Sequence, residues 1–596
     1  MRIVSKILIP ILLATFFIYL PFIANPNLLL DRHNDLAEFF WPIFYYIKEN
    51  ILIHNQVPLW NNMFFMGTPL FPDPQNPIWY LPNIIFLFLS VDTAILLIFV
   101  LHSIFGGIGM YLASREFKLS IYASILTSCL FIVSPKLSGY LEAGHFGLVL
   151  SFAWFGWSIY FLKKLFSTPK LKWSIFLSLS LFAIYINHLL TGLISAIYLS
   201  LFGLVLFLPK PTKKVLQYLV ISAGIFFLII SPILIAQMQW FPYTTRDLLL
   251  KYPDVYPKWN SELEFLKQIF IIKSLDTEKI ITLGIVPSFL ALIGFLTIKN
   301  KHKTLIFIVG LILILISLNN LSLIYDFLIN QNWYILLRVS TRVWFGATLT
   351  LIFLAGKGVD VIFKRNKKIA FALSLLAIVE LILGGYQIII KPISIPKLAP
   401  QEVYEFLSHD QDNFRVFCTT RCLSQKISSQ YHLKLADGYG TLPQKNYYEA
   451  AKQIGQYYSG RYSLSIPPFD VYLYQKLQPY SPTLVEYAIK YVISPHTLKD
   501  KNLIEVKRFD SYVVYKNELF KNPHYLIYTP NFIKVDNSQT NDIVYIPETF
   551  NKNWMAYDEK NNNLIVSETD AHTIKISTNN SKTIILKYVP YRNIFK

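Results

Sequence analysis

Residues 342–390 read RVWFGATLTLIFLAGKGVDVIFKRNKKIAFALSLLAIVELILGGYQIII. Two apolar runs, 342–363 and 369–390, flank the cationic turn of Lys364, Arg365, Lys367 and Lys368. About 20 apolar residues cross the hydrocarbon core as a helix, so this stretch predicts a transmembrane hairpin. Nine further runs precede it, at roughly 7–24, 92–113, 120–135, 146–162, 173–187, 189–208, 215–237, 281–298 and 304–320. The reading is a polytopic α-helical membrane protein of about 11 spans. Composition agrees: hydrophobic residues make up 54%, charged residues only 15%, and mean hydropathy is +0.41. Soluble domains carry about 25% charged residues. Disordered, collagenous and disulfide-framework classes are excluded by the same figures.

The formal charge of +19 is explained by topology. Basic residues cluster after every second span: Arg2 and Lys6; Arg115 and Lys118; Lys163, Lys164, Lys170 and Lys172; Lys210, Lys213 and Lys214; Lys299, Lys301 and Lys303; then the 364–368 turn. The positive-inside rule puts these loops and the N-terminus in the cytoplasm. No nucleic-acid partner is expected. Segments 25–91, 238–280 and 321–341, and everything after 390, then fall outside, predicting a multi-pass plasma-membrane protein with its bulk on one face. The first span reads as a retained signal anchor, with no convincing small-x-small cleavage site behind it.

The expected domains are a membrane domain over 1–390 with an external loop 25–91, a Pro-rich linker 391–404, and an extracytoplasmic mixed or β-rich domain over 405–596. Strands are expected at 489–494, 511–515, 524–528 and 583–589, and a small β-sandwich from Ile543 to Lys596. In the first loop, 35–53 and 78–90 suit helices lying in the membrane interface, with an ordered, irregular stretch at 57–77 between them.

That loop carries Asn34-Asp35-Leu36, Trp41-Pro42, Val57-Pro58-Leu59-Trp60-Asn61, Gly67-Thr68-Pro69 and Asn76-Pro77. Further on come Gly144-His145, Asn187-His188, Tyr243-Thr244-Thr245-Arg246, Leu337-Arg338-Val339-Ser340-Thr341-Arg342, Asp437-Gly438-Tyr439 and Asn553-Trp554-Met555-Ala556-Tyr557. In order and spacing these resemble the YfhO family of bacterial membrane proteins, part of the wider GT-C group of polytopic glycosyltransferases. That family usually has Gly where this chain has Asn34 and Asn187. The resemblance implies a GT-C-like membrane domain and an inverting transferase of hexosyltransferase class. It would take a sugar from a polyprenyl-phosphate-linked donor to a glycan, polymer or lipid acceptor of the cell envelope. It also carries the catalytic role to Asp35.

The chemistry stands beside the resemblance. Transfer to a hydroxyl needs a carboxylate to accept its proton, or to hold a divalent metal such as Mg or Mn. Asp31 and Glu38 are supporting candidates, and Asp35 and Glu38, three apart, would share a helical face. Helix capping is the bland reading for each. Arg342, Arg246 and Arg338, at external span ends, are candidates for the donor phosphate; Arg338 and Arg342, four apart, would share one helical face. Snorkelling to headgroups is their alternative. His145 and His188 are possible site histidines or hydrogen-bonded packing residues. Cys418 and Cys422 leave a local disulfide and a weak metal pair both open, and Cys129 reads as packing. Two other function classes compete: a transporter or flippase, and a non-catalytic cell-envelope assembly protein.

Overall fold

The computed structural model describes residues 2–207, 212–272, 276–392 and 397–590. Lys210 and residues 393–396 of the expected linker lie outside them, as do the side chains of Arg2 and Lys301.

Helices fall on all eleven apolar runs: Arg2–Ala24, Val91–Glu116, Ile121–Ile132, Phe146–Ser167, Leu171–Asn187, Leu189–Phe207, Lys213–Trp240, Ile285–Thr297, Asn300–Ser317, Trp344–Arg365 and Lys367–Ile389. Among the described residues, seven spans are long and apolar enough to cross a membrane, and four helices are apolar but shorter. The third run departs from a simple span. Its helix stops at Ile132, Ser134 accepts from Leu137 N at 3.4 Å as an N-cap, and Pro135 opens a second helix, Pro135–Glu142. Proline fits the first helical position because its missing N–H would be unpaired there anyway.

Two compact units divide the chain, and neither is continuous. The first comprises Met1–Leu36, Pro77–Ser231 and Pro253–Ile393; the second comprises Ala37–Asn76, Pro232–Tyr252 and Ser394–Lys596. The first is helical. Within it, Trp344–Arg365 packs on Ile285–Thr297 and Ile121–Ile132, and Val91–Glu116 packs on Phe146–Ser167. Two 3₁₀ turns, Pro77–Trp79 and Leu81–Leu87, replace the single interfacial helix expected at 78–90.

The second unit carries two main sheets. A mixed five-stranded sheet runs Lys434–Leu435, Arg415–Cys418, Ile489–Ser494, Tyr512–Asn517, Leu503–Phe509, its first two pairings parallel. An antiparallel seven-stranded sheet runs Ile527–Thr529, Phe532–Asp536, Thr583–Tyr588, Trp554–Tyr557, Asn563–Glu568, Thr573–Ser577, Ile543–Thr549. The C-terminal unit expected from Ile543 takes in more of the chain, because strand Phe532–Asp536 pairs with Thr583–Tyr588 and extends the sheet upstream of Ile543. Cys418 and Cys422 are joined in a disulfide. Cys418 ends its strand and Arg421, at φ 49°, turns the chain back, so the pair does not lie along one strand.

The first loop is built into this second unit. A π-helical turn, Leu36–Phe40, leads into helix Trp41–His54, whose Trp41, Phe44, Tyr46 and Ile47 are buried. Tyr46 donates to Trp60 O at 3.0 Å, and Lys426 sits over the Trp41 ring. The interfacial helix expected at 35–53 is thus a packed one, its aromatic rings serving a protein core. Residues Trp60–Asn61 pair with Thr68–Pro69. Phe64, Phe65 and Met66 enter the core of the five-stranded sheet, and Trp60 enters that of the seven-stranded sheet.

Candidate functional site

Asp35 lies one residue before the end of the first unit's share of the loop, and a short set of polar contacts holds it there. Asn34 donates to Glu142 O at 2.8 Å and accepts from Leu36 N at 3.1 Å. Upstream, Arg32 and Lys391 pair with Glu142 at 3.3 and 2.9 Å, and Thr277 donates to the same carboxylate. The backbone of Asn34–Leu36 crosses so near Gly144 that a Cβ there would sit 2.5 Å from Leu36 N. With φ +72°, Gly144 also needs the left-handed region that glycine enters without cost. Sequence reasoning ties Gly144-His145 to the site; the structure supplies the physical reason.

Gly144 sets His145 at the start of helix Phe146–Ser167, where its side chain makes no capping bond. The ring instead faces Asp35, with Nε2 3.4 Å from Oδ2. Next to this pair stands a second one. Arg342 donates to Glu278 at 3.0 Å, and Thr341 donates to Glu278 O at 2.6 Å. Asp276 caps the turn by accepting from Glu278 N at 3.1 Å. Burial alone would raise the Glu278 carboxyl, but the charges of Arg342, His145 and Lys136 outweigh it and hold it at about 2. Lys136 donates to Ile280 O at 3.0 Å and lies over the Tyr140 ring. The Tyr140 hydroxyl is buried without a hydrogen-bond partner. Asp35, His145, Glu278, Arg342, Lys136 and Tyr140 form one electrostatically linked group, with Asp35 and Tyr140 both acting on Arg342.

Comparison with known proteins gives a fold and no closer kinship. No family model matches the chain, and no curated protein matches it. Among solved structures, the arabinofuranosyltransferase AftD from Mycobacteria superposes with a TM-score of 0.56 at 11% identity, over 90% of this chain and 41% of that one. A mutant of AftD gives 0.53 at 12% identity, over 90% and 43%. ArnT from Cupriavidus metallidurans, bound to undecaprenyl phosphate, gives 0.46 at 10%, over 86% of this chain and 97% of that one. The fold is GT-C. The chain spans about two fifths of the length of AftD.

Within this GT-C fold the residues singled out from sequence take different places. Asp35, His145 and Arg342 come together in the first unit. Arg338 does not share a helical face with Arg342: at φ 59° it ends helix Asn332–Leu337, and Arg342 lies in the separate turn Ser340–Val343. His188 is buried at the start of Leu189–Phe207, where its Nδ1 accepts from Thr191 N at 3.1 Å, a helix cap. Asp31 is exposed at the end of the short helix Asn27–Leu30. Glu38 and Arg246 belong to the second unit. Glu38 accepts from Ser424 Oγ at 2.7 Å and Gln425 N at 2.9 Å. Arg246 donates to Tyr462 OH at 3.1 Å and stacks over that ring. Sequence reading missed Glu278, Lys136 and Tyr140. Lys136 had one usable signal, a cation between two spans on the side that the basic loops avoid.

Asp35 and His145 are the side chains that would ligate a divalent metal. Among the described residues no group of three or more His, Cys, Asp or Glu is placed to hold one. Two donors flanked by Arg342 and Lys136 make a poor cage for Mg or Mn, which favour several oxygen ligands.

Proposed function

We propose that this protein is a membrane glycosyltransferase of the GT-C group, of the YfhO type. It moves a sugar from a polyprenyl-phosphate-linked donor to a glycan, polymer or lipid acceptor of the cell envelope. The observation that carries the reading is the group around Asp35: a half-buried carboxylate facing an imidazole at 3.4 Å, with the half-buried Arg342 and the buried Lys136 in the same group, under a GT-C fold. AftD is a transferase by name, and ArnT has been solved with undecaprenyl phosphate bound.

In the proposed reaction the acceptor hydroxyl oxygen forms a bond to the sugar's anomeric carbon while the bond from that carbon to the phosphate oxygen breaks. The hydroxyl proton passes to Asp35, oriented by His145, and the electron pair leaves on the phosphate. Arg342 and Lys136 stabilise that developing charge. Glu278 holds Arg342 in place and keeps its fork aimed. Attack from the face opposite the leaving group inverts the anomeric centre. Arg246 and Arg338 carry no step in this scheme, and no step requires a metal.

The first unit also offers a place for a long apolar chain. A cavity of about 600 Å³ runs beside Trp344–Arg365, walled by Leu199, Ile306, Leu313, Phe353 and Leu354, with Lys118, Lys163 and Lys357 among its lining residues. Trp344–Arg365 spans about 33 Å at 1.5 Å per residue, putting Arg342 at one end and Lys364 and Arg365 at the other. With the basic end cytoplasmic, the Asp35 group and the C-terminal domain lie outside.

Purified protein given a polyprenyl-phosphate sugar tests the reading. Sugar transfer, or donor hydrolysis without acceptor, is expected; lipid translocation in vesicles without either reaction would assign the chain to the flippase class instead. Turnover that survives EDTA would exclude a metal at Asp35.

A further inference from the structure

The second unit contains a separate cavity of about 190 Å³ that the proposed transfer chemistry does not use. Trp240, Tyr243, Asn551, Lys552, Asn553 and Tyr588 are among its walls. They come from distant parts of the chain: the end of helix Lys213–Trp240, the corner before strand Trp554–Tyr557, and the end of strand Thr583–Tyr588.

The cavity is built rather than left over. Asn551 accepts from Asn553 N at 3.0 Å and donates to Gln444 at 3.1 Å, which fixes the corner. Lys552 donates to Tyr243 OH at 3.3 Å and covers its ring at 4.4 Å, which fixes that aromatic face. The Asn553 side chain lies beside the Tyr588 hydroxyl. Trp240 is only 6% exposed, yet its indole N–H has no hydrogen-bond partner. A buried donor left unpaired is costly, so an acceptor supplied to this wall would be stabilising.

Aromatic faces with carboxamides and an unpaired N–H suit a ring that has C–H faces and hydroxyl edges. Charge argues against a phosphate. Lys445 in the wall already pairs with Asp247 at 2.8 Å, and Glu568 shares the lining with Lys552. We propose that this cavity is a glycan subsite that takes one ring of a neutral saccharide. Its role as an acceptor subsite rests on the glycosyltransferase reading; saccharide binding itself does not.

Equilibrium binding to the detergent-purified full-length protein tests it, using calorimetry with neutral oligosaccharides of glucose, mannose and arabinose. At least one should bind saturably. Trp240→Phe, which keeps the ring but removes the N–H, and Asn553→Ala should each weaken that binding about 3–10-fold, the worth of one hydrogen bond. Asp35→Asn should bind as the parent does. If Trp240→Phe unfolds, Asn553→Ala alone decides. No saturable binding across the panel, binding indifferent to both substitutions, or displacement by anionic phospholipid micelles would overturn the subsite. Retained saccharide binding without transfer would instead overturn only the enzymatic reading.

Discussion

Two clusters of charge, one in each unit, are finished differently. In the second unit Glu548 pairs with Arg415 at 2.5 Å, with side-chain exposures of 1% and 3%. Trp60 donates to its other oxygen at 2.9 Å, Tyr528 donates as well, and Arg415 also donates to Tyr487 O at 3.1 Å. In the first unit Asp35 and His145 are 25% and 14% exposed, Glu278 and Arg342 16% and 18%. His145 Nδ1 and the Tyr140 hydroxyl are buried without partners. A buried ion pair helps only when its remaining polar groups are satisfied. The closed cluster gives both Glu548 oxygens donors, leaves Arg415 Nε unpaired, and fastens a loop; the open one leaves His145 Nδ1, the Tyr140 hydroxyl and Arg342 Nε unpaired and is the more exposed of the two, which is what a site awaiting a substrate requires.

The sharpest way to break the contrast is to remove one charge from each cluster. Asp35→Asn should lower sugar transfer by roughly 10²–10⁴-fold, the usual worth of a general base, and leave the unfolding midpoint where it was. Near-parental turnover would remove Asp35 from the chemistry. Arg415→Met should do the reverse. Stranding Glu548 in the interior should cost about 3–5 kcal/mol of stability, read by denaturant unfolding in detergent. An unchanged midpoint would mean that the closed cluster contributes little.

Arg342→Lys separates geometry from charge in the open cluster. A point charge cannot reproduce the fork, so transfer should fall by about 10²–10³-fold, comparable to losing one donor to a developing anion. Full activity would show that charge alone suffices. The smallest expected effect is in pH dependence, where buried acids of the two units should behave oppositely. Glu278 sits at about 2, so its stabilising contribution is present above the usual carboxylate range and is lost as pH falls through about 2. Burial pushes Asp437 up to about 7 against the pull of the Tyr472 hydroxyl. Its contribution is present below about 4 and lost as pH rises through 7. Thermal unfolding of Glu278→Gln should lose the acid limb, and Asp437→Asn should flatten the limb between pH 4 and 7; matching profiles would contradict the assigned environments.

Much of the fold was legible because spans announce themselves by length and apolarity. All eleven runs are helical, and strands Ile489–Ser494 and Thr583–Tyr588 fall where alternation put them. The site was legible only in part. Asp35, His145 and Arg342 sit at span ends where an ionisable group needs a reason. Glu278 had no local signature: it lies in a three-residue turn, and what marks it is Arg342 arriving from 64 positions away. Loop one misled for a related reason. Aromatic rings on an amphipathic segment look alike whether they meet lipid or a protein core, and Phe64, Phe65 and Met66 find their partners more than 300 residues downstream in a sheet.

Gly67 shows what that arrangement entails. Its φ is +98°, and a Cβ would sit 2.2 Å from Glu548 Oε2 and 2.6 Å from the Trp60 ring. The loop tip and the C-terminal sheet are therefore one casting, shaped around each other atom by atom. For protein engineering, cutting the chain near residue 395 would not excise a module; it would strip the walls from around a plug still attached to the other half. A transplant that keeps its parts intact must move Ala37–Asn76, Pro232–Tyr252 and the C-terminal segment together, with its first suture two residues beyond Asp35.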